Sequence, residues 1–383
     1  MHAFAFHAAK SVIVAPGAAG QLAEHVTRLG ARSVLLVTDP GVARAGLVDP
    51  VLEAMRAAGL AVSCFADVEP EPPVDAVLRA AAQARACKAE CVVGFGGGSS
   101  LDAAKLAALL AAGDTRLEDV YGVDKVRGAR LPLILVPTTA GTGSEVTPIA
   151  IVTTGENMKQ GVVSPVLLPD VALLDADLTL GLPAQVTAAT GIDAMVHAIE
   201  AYTSKRLKNP LSDSLAREAL RLLLHNIRRV CHTPSDREAR QAMLMGACMA
   251  GMAFANAPVA AVHALAYPIG ARFHVPHGLS NSLVLGPVLR FNLPAALPLY
   301  AELAEQVMPH AAGSPEARAA ALIDTLEALP ADLGLPARLG DVGIAAGDID
   351  VLADDAMRQT RLLINNPREL SREDAAGLYR QAL

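Results

Sequence analysis

The sequence predicts an α/β domain built on a parallel sheet, followed by an all-α domain. Two patterns and the length carry this expectation. Short uninterrupted apolar runs, such as SVLLVT at Ser33–Thr38 and LILV at Leu133–Val136, alternate with helix-length segments through the first half. Such runs mark strands covered on both faces, the environment of parallel strands between helices. After Pro183 the strand signals stop and helical periodicity takes over. At 383 residues the chain is also too long for one ordinary core, so two domains are expected.

In chain order, Ser33–Thr38 reads as a buried strand and Gly41–Ala58 as one helix. Ala61–Phe65 is strand-like, Val74–Ala86 helical, and Cys91–Phe95 again a strand. Gly96–Gly98 forms a turn into a helix over Ser99–Ala112, and Leu133–Val136 is a strand closed by Pro137. Further short strands are expected near Thr147–Thr153, Gly161–Ser164 and Ala172–Leu174. Ala184–Ser204, Leu211–Cys231 and Ser235–Ala255 carry helical spacing, and shorter helices continue to Leu383. The boundary falls near Leu180–Leu182, giving domains at 1–181 and 182–383.

Composition narrows the function class. Alanine and leucine dominate and Trp is absent, which favours helices over an all-β fold. A net charge of −7 without a Lys/Arg stripe argues against a nucleic-acid surface. The five Cys form no CxxC pair and read as reduced thiols of a cytoplasmic protein, with Cys87 and Cys91 as small buried residues. MHAFAFHAAK has no basic stretch leading into a long apolar run, so no signal peptide is expected. Gln241–Ala271 holds no Asp, Glu, Lys or Arg and is long enough to span a bilayer. Asn256, Pro258, His263 and Pro268 interrupt it, so two or more buried helices, and no membrane, is the expectation.

Three segments of the first half could hold a nucleotide. At Val92–Ser100 a strand runs through Gly96–Gly97–Gly98–Ser99 into a helix. Glycines let backbone N–H groups approach a pyrophosphate, and the helix N-terminus favours negative charge. The spacing G-x-G-x-x-S puts Ser99 where the dinucleotide fingerprint has Gly or Ala, and the motif follows a late strand. The alternative is a tight turn with Ser99 as N-cap. Asp39, ending LLVTD, could hydrogen-bond a ribose diol and repel a 2′-phosphate, or could initiate an Asp–Pro turn. Pro137–Glu145 concentrates hydroxyls and glycines after a buried strand, as a ligand loop or as hydroxyl-stabilised turns.

The second half offers metal ligands. Asp193 and His197 are four apart, on one helix face. His263 and His277 follow, fourteen apart. One carboxylate and three imidazoles suit a divalent first-row metal. His274 could compete with His277, whereas His2, His7, His25, His225 and His232 read as surface or structural.

The chain resembles the iron-containing (group III) alcohol dehydrogenases over nearly its whole length. The similarity rests on GGGSSLDAAK at Gly96–Lys105, PTTAGTGSEVT at Pro137–Thr147, TAATGIDAMVHAIEAY at Thr187–Tyr202 and HALAYPIGARFHVPHG at His263–Gly278. The resemblance implies a Rossmann-like nucleotide domain and a helical metal domain, the architecture shared with dehydroquinate synthase. It implies that Asp193, His197, His263 and His277 hold one divalent ion, usually Fe²⁺ and sometimes Zn²⁺. Gly96, Gly97, Gly98 and Ser99 would cradle the pyrophosphate, with Asp102, Thr138, Thr139, Thr142 and Ser144 around the ribose and nicotinamide. Asp39 is the position that favours NAD over NADP. The expected reaction is hydride transfer between NAD(H) and a small or medium primary alcohol or aldehyde, the metal acting as Lewis acid. Apolar Ile149, Phe254 and Leu265 fit such substrates, and a homodimer is the family expectation. Hydroxyacid–oxoacid transhydrogenase, maleylacetate reductase-like and glycerol dehydrogenase-like reactions are the alternatives; His197 and the intact ligand set weigh against the last two. Tyr267 stands where many relatives have His, four residues after His263. With an unperturbed pKa of about 10 in place of about 6.5, it argues against a His-type relay and is read as a proton relay of its own, a substrate contact or simply a packing residue.

Overall fold

In the computed structural model, which describes residues 3–155 and 158–383, the chain forms two compact units. One comprises residues 7–181 and the other mainly residues 182–383.

The first unit runs β1 (Val12–Val14), α1 (Leu22–Arg28), β2 (Ser33–Val37), α2 (Pro40–Arg44), α3 (Asp49–Ala57), β3 (Ala61–Phe65), α4 (Val74–Ala86), β4 (Cys91–Gly96) and α5 (Gly98–Ala111). It continues with β5 (Gly122–Val123), β6 (Leu133–Pro137), β7 (Ile149–Thr154), β8 (Met158–Val163) and β9 (Val171–Leu174). Six strands form one all-parallel sheet in the order β1-β9-β6-β4-β2-β3. The apolar runs are explained by their two faces. Leu35, Val37, Val92, Leu133 and Leu135 enter one core with α4 and α5. Their alternate neighbours Val34, Leu36, Cys91, Val93, Ile134 and Val136 enter a second core with α1 and α3. A strand with period-two side chains and a core on each side has no polar face to show.

Three details differ from the sequence expectation. Gly41–Ala58 is not one helix: α2 ends at Arg44 and α3 begins at Asp49. Between them Gly46 has φ +73°, a left-handed conformation that ends a helix and that glycine adopts without a Cβ penalty. The two strands that follow Thr147 directly, β7 and β8, leave the main sheet and form a separate three-stranded one with the earlier β5, β7 antiparallel to β8 and β5 parallel to it. β1 was not expected; it is three partly exposed residues pairing with β9 at the sheet edge, too short to give a periodic signal.

The second unit is helical: α6 (Ala184–Thr203), α7 (Pro210–His232), α8 (Arg237–Asn256), α9 (Ala261–Phe273), α10 (His277–Val307), α11 (Pro315–Asp332), α12 (Ile349–Met357), α13 (Thr360–Leu363) and α14 (Arg372–Ala382). Side-chain caps set the starts of several. Asn209 Oδ1 accepts from Ser212 N–H at 2.9 Å, and Asp236 Oδ1 from Ala239 N–H at 2.9 Å. The uncharged Gln241–Ala271 stretch is divided between α8 and α9, which bend by 105° at their junction. The expectation of only shorter helices beyond it fails at α10, which runs 31 residues through Pro287, Pro294 and Pro298. A proline costs a helix one hydrogen bond and strains the preceding turn. Packing against α6, α7, α9, α11 and α14 sustains this one. By length and composition alone α10 could cross a membrane, yet half of its most apolar window is buried within the protein.

Candidate metal centre and nucleotide cradle

The metal candidate is assembled from three helices of the second unit. α6 presents Asp193 and His197 one turn apart, α9 carries His263 in its first turn, and α10 begins at His277. The start of α10 lies tight against α6. A Cβ on Gly278 would fall 2.4 Å from the Ala189 carbonyl oxygen and 3.3 Å from Asp193 Cβ. Only a residue without a side chain lets His277 come this close to Asp193.

The four expected ligands converge. Asp193 Oδ1 lies 3.9 Å from His197 Nε2, 3.7 Å from His263 Nε2 and 3.5 Å from His277 Nε2. One ligand atom from each residue lies within 4.8 Å of the others, the sole such group of three or more among the described residues. A tetrahedral ion with bonds of about 2.1 Å separates its donors by roughly 3.4 Å. The donor set therefore fits a first-row divalent ion with a small contraction. His274 is not part of it: it is the exposed left-handed C-cap of α9.

Burial and charge support the same use. Asp193, His197 and His263 are buried, whereas the His277 side chain is 37% exposed, so the site opens on that side. Burial pushes the Asp193 carboxyl up, but the three imidazoles and an Asn281 N–H outweigh it and hold it below the usual carboxylate range. The His197 ring is stacked between Phe254, at 4.3 Å between centroids, and His263, at 4.8 Å. Tyr267 lies on the open side, 5.7 Å from the His277 ring and 6.4 Å from that of His263. Leu265 is fully buried and its carbonyl accepts from Tyr379 Oη, so it does not line the opening.

Two neighbours went unnoticed in the sequence. Asn281 Nδ2 donates to Asp193 Oδ1 at 2.6 Å and lies 3.3 Å from both His263 Nε2 and His277 Nε2. Its amide thus sits beside three of the atoms that a cation would take as donors. Glu200 Oε2 accepts from His263 Nδ1 at 2.7 Å. Both were legible as spacing: Glu200 is seven after Asp193 and Asn281 four after His277, each on the face of its ligand.

In the first unit, three loops meet at the C-terminal edge of the parallel sheet. The chain passes from β2 outward to β3, then crosses back to β4 on the other side of β2. That reversal is the topological switch point where open α/β sheets bind ligands. Asp39 follows β2 and Gly96–Gly98 closes β4, so the late-strand motif stands beside the acid after all. Ser100 Oγ donates to Asp39 Oδ2 at 2.9 Å, and Thr138 N–H donates to Gly96 O at 3.0 Å. A Cβ on Gly98 would lie 2.8 Å from Thr142 Cγ2, which shows how closely the third loop approaches.

The N-cap of α5 is Gly97, not Ser99, and no side chain caps it. Gly97 has no side chain to take up the first-turn N–H groups, which such a helix start can offer to an anion. Ser99 Oγ instead accepts from Glu71 N–H at 3.2 Å. Of the two roles considered for Asp39 the structure shows the local one: Oδ1 accepts from Gly41 and Val42 N–H at 2.9 and 3.0 Å, capping α2. Thr139 and Thr142 are half-buried at the loop surface, while Thr138 and Ser144 are buried. Asp102 is engaged internally: Oδ1 accepts from Ser144 Oγ at 2.5 Å and Oδ2 from Ile151 N–H at 2.9 Å. The fully buried Lys105 reaches Ser144 Oγ at 2.8 Å, Thr147 Oγ1 at 3.2 Å and Ile149 O at 2.6 Å, tying α5 to the loop. Neither Lys105 nor the buried Glu145 next to Ser144 stood out in the sequence, because a single charge in an apolar run carries no periodic signal.

Comparison with known proteins agrees with these features. The iron-containing alcohol dehydrogenase family model matches residues 9–176, and the C-terminal model of the same family matches residues 187–383. The chain is 42% identical to long-chain-alcohol dehydrogenase 1 of Geobacillus thermodenitrificans over 370 residues, covering 96% of this chain and 93% of that one. It is 34% identical to the NAD-dependent methanol dehydrogenase of Bacillus methanolicus over 373 residues, 97% of each chain. The crystal structure of a 1,3-propanediol oxidoreductase superposes over 100% of both chains with a TM-score of 0.96 at 35% identity. The chain belongs to the iron-containing alcohol dehydrogenase family and is one of its oxidoreductases.

Proposed function

We propose that the protein is a divalent-metal-dependent oxidoreductase that interconverts primary alcohols and aldehydes with NAD(H). The observation that carries this reading is the convergence of Asp193, His197, His263 and His277, with all ligand atoms within 4.8 Å. A cation held by these four side chains supplies Lewis acidity towards an alcohol or carbonyl oxygen, and the nicotinamide carries the hydride. The remaining work falls to the chain. Half-exposed His277 and Tyr267 border the side from which substrate enters, and the Tyr267 hydroxyl is a donor and acceptor for its oxygen or its proton. The Phe254 ring keeps His197 upright by stacking and supplies an apolar wall. For the cofactor, the first-turn N–H groups of α5 bind pyrophosphate and Asp39 meets the ribose diol. Thr139 and Thr142 flank it, while Asp102, Thr138 and Ser144 shape the loop through their buried bonds. Names of relatives support alcohol substrates and NAD, as in the methanol dehydrogenase and the long-chain-alcohol dehydrogenase.

The test is a panel of alcohols and aldehydes with NAD(H) and NADP(H), on protein reconstituted with Fe²⁺ or Zn²⁺. Alcohol-dependent NADH formation is expected, and His277→Ala or Asp193→Asn should lose bound metal and activity together. Full turnover by a metal-free variant would overturn the metal reading. Turnover without added nucleotide would point instead to a transhydrogenase holding its cofactor tightly.

A further inference from the structure

The buried acid beside the ligand set has no role in the reading above. Glu200 is 4% exposed and lies on α6, seven residues after Asp193 and three after His197. These three positions share one helix face. Its carboxylate accepts three hydrogen bonds: from Val262 N–H at 2.7 Å, Ala260 N–H at 2.9 Å and His263 Nδ1 at 2.7 Å. The two backbone donors are at the uncapped start of α9, whose N-cap Ala260 has no side-chain acceptor. One carboxylate therefore anchors both the helix that carries His263 and the imidazole ring itself.

We propose that Glu200 is the positioning residue of the metal site: it fixes the His263 tautomer and ring angle and strengthens His263 as a ligand. The argument is one of hydrogen-bond valence. A carboxylate that already accepts from two backbone N–H groups accepts from the ring as well, so the proton sits on Nδ1. The lone pair is then on Nε2, the atom 3.7 Å from Asp193 Oδ1 and 3.3 Å from Asn281 Nδ2. A negative partner behind the ring raises its basicity towards a cation, and such partners commonly contribute about 10–100-fold to metal affinity. His197 differs in being stacked on two rings, those of Phe254 and His263. Asp193 and Glu200 together supply two negative charges to one divalent ion, with the second acting through His263.

This inference rests on the proposed metal site, and the experiment separates the two. Zn²⁺ affinity is measured by competition with a chromophoric chelator for the wild-type protein, Glu200→Gln and Glu200→Ala. The thermal midpoint of each metal-free protein and the visible spectrum of each Co²⁺-loaded protein are recorded alongside. Gln is isosteric and keeps one oxygen for the α9 amides, but its NH₂ cannot accept from Nδ1. The expected result is a Zn²⁺ dissociation constant raised about 10–100-fold in Glu200→Gln, with an altered Co²⁺ spectrum. An unchanged affinity and spectrum, with only the metal-free midpoint lowered, would reduce Glu200 to a helix cap and overturn the proposal. Should neither variant fold, isotope-labelled histidine in the Zn²⁺-loaded wild type decides by NMR: a proton on His263 Nδ1 supports it and one on Nε2 overturns it. A wild type that binds no Zn²⁺ would overturn the metal site itself.

Discussion

Replacing Gly278 by Ala tests how finely the fold sets the metal geometry. The added Cβ would lie 2.4 Å from the Ala189 carbonyl oxygen and 2.8 Å from its carbon. Ordinary carbon–oxygen contact is about 3.4 Å, so α10 and α6 must part by roughly 1 Å. Neither side yields easily. The Ala189 carbonyl sits inside α6, where helix geometry makes it the acceptor for the amide of Asp193 four residues on. Relief therefore moves either the turn that carries Asp193 or the one that begins with His277. Metal sites tolerate about 0.2 Å in ligand distance, so a shift several times larger should weaken binding by about tenfold or more. Overpacking should also destabilise the fold by about 1–3 kcal/mol. Gly377→Ala is the control: it lies in α14 with nothing within 4 Å of the added carbon. There the better helix propensity of Ala should leave stability unchanged or raise it by up to about 1 kcal/mol. Chelator competition for Zn²⁺ and denaturant unfolding read both effects. Wild-type affinity and stability in Gly278→Ala would refute the claim that this contact sets the ligand spacing.

Three other expectations concern the first unit. Asp39→Asn keeps a carbonyl to cap α2 but removes the charge; the NADP-to-NAD ratio of kcat/KM should rise by about tenfold, about 1.4 kcal/mol, and an unchanged ratio would remove Asp39 from the ribose. Lys105→Met strips the cation from a buried cluster of oxygens and should cost about 3 kcal/mol by urea unfolding, partly recovered when Asp102→Asn is added; additive losses would show that the pair is not coupled. Glu145 is wholly buried, and burial pushes its carboxyl up to about 7 against the opposing pull of its own backbone N–H and Lys105. The folded protein thus keeps a proton that the unfolded chain releases near 4.5. Stability should fall as pH rises from about 4.5 to about 7, by at most about 1.4 kcal/mol per unit. Glu145→Gln should flatten that slope, and parallel pH profiles for the two proteins would contradict it.

The sequence by itself determined the fold class, because strand and helix periods differ and a two-sided parallel sheet leaves uninterrupted apolar runs. It also determined the four metal candidates, since a carboxylate and an imidazole four apart must share a helix face. Around them it was silent wherever the deciding contact is long-range. The prolines tolerated within α10 and the pairing of short β1 both depend on neighbours distant in the chain. The Gly96–Gly98 motif looked misplaced along the sequence, and only the crossover from β3 to β4 put it beside Asp39. For Asp102, expected near the cofactor, only the structure showed that both its oxygens also tie α5 to the protein, through Ser144 and Ile151. Glu200 and Asn281 had the right spacing, but spacing names a face and not a partner. Tertiary packing decided that the partners would be His263 and Asp193, because that is where α9 and α10 meet α6.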